Sequence, residues 1–128
     1  MATVNQKIEN ALSDLVDGNI WPLVCPLETA PDQWITYQPE LEAPEDFGDD
    51  TDLEWVHYMQ VHWFAKSDAG GKGAVNYLTA RSEIRDRLKA AGFCVESFVQ
   101  TYEHDTRTTH MVCLCNIIED LETEADDG

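Results

Sequence analysis

A chain of 128 residues with 43% hydrophobic and 26% charged residues is sized and composed for one domain with a modest core. Twenty-five acids against eight bases give a formal charge of -17 and a sequence pI near 4.2, which disfavours binding to a phosphate backbone or an anionic membrane. No apolar run approaches the roughly 18 residues a membrane span needs, and no basic-then-apolar leader opens the chain.

Thr3 and Gln6 have capping-box spacing, and Val4, Ile8, Ala11, Leu12, Leu15 and Val16 follow with helical period. Asp17, Gly18 and Asn19 stop this first helix. Trp21, Pro22 and the Cys25-Pro26 pair read as a rigid connector. Trp34 to Tyr37 is a short strand that Pro39 closes. Two prolines, Gly48 and a crowd of acids then predict a long exposed loop over 39–54, of a kind often given to binding or assembly. Glu40, Glu42, Glu45, Asp46, Asp49, Asp50, Asp52 and Glu54 make that acidic crowd.

The strongest strand covers 54–65, with Trp55, Val56, Tyr58, Met59, Val61, Trp63 and Phe64 placing large residues on both faces. Helices would cover one face, and a neighbouring subunit the other. A polar connector over 66–73 contains a GGKG run but lacks the GxxxxGK[ST] phosphate loop. A second helix over 74–91 has a buried stripe of Val75, Leu78, Ile84, Leu88 and Ala91, widened by Tyr77 and Ala80. Arg81, Arg85 and Lys89 line a separate basic ridge at i, i+4 and i+8, either a solvated face or a contact surface. Gly92 stops the helix, and Phe93, Val95, Phe98, Val99 and Tyr102 begin a hairpin that returns over 108–118.

The expected architecture is therefore α+β in the order α-β-β-α-β-β. Its mostly antiparallel four-stranded sheet would carry both helices on one face. A single domain over 1–118 would be followed by a disordered acidic tail over 119–128, where Glu119, Asp120, Glu122, Glu124, Asp126 and Asp127 fall.

No pattern here carries catalysis. His57 and His62 lie five apart on one strand and point to opposite faces, so they cannot chelate together. Cys113 and Cys115 share a face but lack the CxxC turn that converges sulfurs on zinc, although Cys94 could join them across the hairpin. Nothing places a thiol at a helix N-terminus or beside a basic group that would activate it. Without a secretory leader before Cys25, Cys94, Cys113 and Cys115, free and mostly buried thiols of a reducing cytoplasm are expected. His104, Asp105, Arg107 and His110 flank a polar turn rather than a ligand site. The chain is expected to be no enzyme and to hold no cofactor or metal.

An N-terminal amphipathic helix precedes Ile20-Trp21-Pro22, then WITYQP, a long acidic loop and VHYMQVHWFAK. A helix ending LKAAGF and a hairpin built as Y-x-x-D-T-x-x-x-H from Tyr102 to His110 follow. In order and spacing, over nearly the whole chain, these elements resemble the tail terminator or tail completion proteins of long-tailed bacteriophages and prophages. The resemblance implies a subunit of a ring, commonly a homohexamer, on the head-proximal end of the tail tube. Such a ring stops tube polymerisation and docks to the head connector. The implied partners are other copies of the chain, the major tail tube protein and the connector or neck protein, with DNA passing through the lumen unbound. The implied location is the virion, and the host cytoplasm during assembly.

Candidate interface residues are Trp55, Tyr58 and Trp63 on the aromatic strand, the basic Arg81, Arg85 and Lys89, and the acidic Glu45, Asp46, Asp49 and Asp50. A neck or head-completion connector is the neighbouring alternative. An acidic DNA mimic is a further one, although acids gathered in loops and a tail make a poor copy of regularly spaced phosphates.

Overall fold

The computed structural model describes residues 3–44, 54–66 and 77–120; the side chains at 41–44, 54–55 and 119–120 fall outside that description. Helix α1 (Val4–Leu12) opens on the full capping box. The Gln6 N–H donates to the Thr3 hydroxyl, and the Thr3 N–H donates to Gln6 Oε1. Val4, Ile8 and Leu12 face the core, and a 3-10 turn (Ser13–Val16) adds Val16. Asp17 and Gly18 both take positive φ, 52° and 81°, which reverses the chain into the sheet.

Five strands form one sheet in the order β1-β2-β3-β5-β4. They are β1 (Ile20–Pro22), β2 (Gln33–Pro44), β3 (Glu54–Lys66), β4 (Cys94–Glu103) and β5 (Thr108–Asp120). Every pairing is antiparallel except β1 with β2. The α+β expectation holds, with one strand more than the four expected.

The extra strand is Ile20-Trp21-Pro22, expected as a connector. It pairs parallel to Ile35, Thr36 and Tyr37, and an edge position with Pro22 last tolerates the missing N–H. Strand β2 also runs further than expected. A register shift between Pro39 and Leu41 absorbs the proline, so 39–44 is strand where a loop was expected. The rest of that predicted loop, from 45 to 53, lies outside the described residues.

Strand β3 is central, and its burial alternates from Met59 to Lys66, while Val56 near its start is buried as well. Met59, Val61, Trp63 and Ala65 are buried beneath the helices, joined by Ile35, Tyr37, Met111, Cys113, Cys115 and Ile117 from neighbouring strands. The Trp63 indole N–H is satisfied by Gln33 Oε1 at 3.2 Å. The buried Tyr37 hydroxyl donates to the Glu9 carboxylate, tying α1 to the sheet; burial first, then Glu9, pushes that phenol up.

Helix α2 (Tyr77–Ala90) buries Ile84 and Leu88, with Ala80 and Ala91 beside them. Tyr77 and Leu78, expected in this stripe, are 40% and 48% exposed. Tyr77 lies two turns before Ile84 on the same side, so the first turn of α2 overhangs the core. At the other end Gly92, at φ 102°, closes a Schellman motif. The Phe93 N–H donates to the Leu88 carbonyl and the Gly92 N–H to that of Lys89, while Phe93 and Leu88 are both buried. Strand β5 continues through Asp120, two residues past the expected boundary.

Candidate assembly surface

Both helices pack on one side of the sheet. The opposite side, called here the open face, carries the alternate residues: Trp34, Thr36 and Gln38 of β2, and Tyr58, Gln60, His62 and Phe64 of β3. From β5 and β4 it receives His110, Val112, Leu114, Val99, Thr101 and Glu103. No described helix covers it. Val99 and Ile118 are 54% and 50% exposed, while Tyr58, Gln60, His62 and Phe64 are half-buried by one another.

A row of stacked rings crosses three strands of this face. Trp34 lies against Phe64 at 4.9 Å between centroids, Phe64 against His110 at 4.3 Å, and His110 against His62 at 5.0 Å. Polar contacts run beside the rings. Gln60 donates from Nε2 to Glu40 at 3.5 Å, which leaves its Oε1 to accept from Gln38 at 3.4 Å and from His62 Nε2 at 3.0 Å. With its proton on Nε2, His62 accepts at Nδ1 from His110 Nε2, 2.7 Å away. The other His110 nitrogen faces Glu103 Oε2 at 3.4 Å. Burial, then the nearby His110, lowers the pKa of His62, because a second proton would set two N–H groups against each other.

Beyond the end of this row is a cavity of about 410 Å³. Trp34 and Phe64 form its apolar wall, and Glu28, Lys66 and Glu103 bring charge to it. The Lys66 ammonium donates to the Ala30 carbonyl.

On the helix side Arg81, Arg85 and Lys89 follow one flank of α2, with Arg85 and Lys89 exposed. Arg85 meets Asp86 at 3.1 Å. Arg87 takes the other flank, reaching Asp14 at 2.5 Å, Glu83 at 3.2 Å and the Ala11 carbonyl at 3.3 Å. The Glu83 hydrogen bond leads in holding its guanidinium charged.

The structure distributes the predicted interface residues unevenly. Tyr58 is on the open face, and Arg81, Arg85 and Lys89 are on α2. Trp63 is 2% exposed under the helices and offers no surface, because its odd position in β3 points at the core. Trp55 stands opposite Pro44 and Glu119 in the ladders, with its side chain outside the described residues; Glu45, Asp46, Asp49 and Asp50 also lie outside them. The ring row escaped sequence reasoning. Its signal was the alternation of Tyr58, Gln60, His62 and Phe64, but only register brings Trp34 and His110 alongside.

Among the described residues no group of three metal-ligating side chains converges. Cys94 pairs with Asn116 rather than with Cys113 or Cys115, so the three sulfurs do not share a site. Hydrogen bonding with Cys115, then burial, pushes the Cys113 thiol well above the ordinary range, the opposite of an activated nucleophile. No helix among the described residues is long and apolar enough to cross a membrane.

No protein-family profile matches the chain, and no curated protein does. Among solved structures, the chain is similar to one in the virion of a native gene transfer agent (GTA) particle. The two share 12% identity with a TM-score of 0.60, over 88% of this chain and 91% of that one. A likeness at that identity is one of fold.

Proposed function

We propose that this protein is a virion structural subunit that closes the head-proximal end of a phage-type tail tube as a homo-oligomeric ring. The ring stops tube polymerisation and offers the surface that docks to the head. The observation that carries this reading is the sheet with helices on one face and an ordered, partly exposed row of rings on the other. A lone subunit leaves that row in water, and a neighbouring copy would bury it. The fold shared with a virion component supports the same reading. The strong negative charge suits a lumen through which DNA passes without sticking.

The test is an assembly reaction. Tail tube subunits allowed to polymerise with this protein should give short tubes bearing a ring at one end in electron micrographs. Tubes of unchanged length with no bound protein would refute the proposal. Binding to a portal-side adaptor in place of the tube would move the protein to the neck.

A further inference from the structure

We infer that the cavity at the end of the open face is a socket for an arginine from helix α2 of a second copy of this chain. The inference rests on the ring reading above and names the contact that would close the ring. Two stacked rings, Trp34 and Phe64, wall the cavity, and two carboxylates, Glu28 and Glu103, stand over it. Its one lysine, Lys66, is engaged by the Ala30 carbonyl. Glu103 is held in place, accepting from the Thr106 hydroxyl at 3.3 Å and facing His110 at 3.4 Å, yet it remains 46% exposed. An apolar wall in a cavity that two carboxylates also line suits a guanidinium on a flexible apolar stem better than a compact ammonium.

The same chain carries the matching group. In a molecule of charge -17 the bases are few, and three of the eight follow one flank of α2. Arg87 is committed to Asp14 and Glu83, while Arg81 makes no ion pair with any other described residue and Arg85 has only exposed Asp86. Socket and ridge lie on opposite sides of the sheet, so no copy can fill its own socket. The pairing joins one copy's front to the next copy's back, a head-to-tail contact of the kind that closes rings. Two open faces meeting each other would instead bring Glu28 and Glu103 against their own duplicates.

Charge reversal tests it, read by sedimentation velocity. Arg81→Glu with Arg85→Glu, and separately Glu28→Lys with Glu103→Lys, should each weaken association of the full chain by about tenfold or more. Mixing the two reversed proteins should restore it, since each then offers the other a matched contact. Thermal unfolding verifies that each variant is folded. If Glu103→Lys does not fold, Glu28→Lys alone replaces the pair. Wild-type rings that persist unchanged in the reversed proteins would overturn this inference and leave the ring reading standing. Association that stops at two copies would overturn it in favour of paired open faces. A wild type that never associates removes both.

Discussion

His62 is the residue at which this surface meets solvent conditions. Burial first, and then His110 beside its Nδ1, make the fold resist a protonation that the unfolded chain accepts near about pH 6.5. As pH falls the unfolded state therefore binds more protons, and the contribution of His62 to stability declines. That contribution is fully present above about pH 6.5 and falls away toward the lowered value of the fold. Other acids titrate too, so the comparison must be with a variant. Denaturant unfolding of wild type and His62→Gln at about pH 7.5 and about pH 5.5 should show wild type losing more stability on acidification. Equal losses would mean His62 is not held as described.

Among the elements, the turn from α2 into β4 is the one most fully written into the chain. Gly92 ends the apolar stripe, Phe93 supplies the capping contact, and the structure adds only the two hydrogen bonds. A Cβ on Gly92 would come no closer than 3.6 Å to Ile117, so Gly92→Ala tests the backbone and not the packing. At φ 102° it should cost about 1 kcal/mol or more in urea unfolding; an unchanged midpoint would contradict the Schellman assignment. Both helices, the central strand and the hairpin were legible too, because each is signalled by residues near one another, although Tyr77 and Leu78 do not join the buried stripe of α2. What stayed hidden depends on distant pairing. Ile20-Trp21-Pro22 becomes a strand only because Ile35 to Tyr37 lies beside it, and β2 passes Pro39 only because β3 holds its far half in register. Trp63 was misplaced for a related reason: its size marked it as a contact residue, but its parity in β3 decides which face it joins. The Trp34, Phe64, His110 row joins three strands, and no window of sequence contains it.

The whole molecule combines two opposed tendencies. A charge of -17 makes copies repel at long range, whereas an open face of rings and a basic ridge on the far side favour contact at short range. Salt screens the first more than the second, since pairs buried at an interface are less exposed to ions. The central claim is that its working form is a closed ring, and native mass spectrometry tests that most directly. With a protomer of 14.5 kDa, the account predicts one species of fixed multiple, commonly six by the resemblance, that does not grow as concentration rises or tube subunits are added. A protomer that remains single at every concentration, with and without tube subunits, would contradict it.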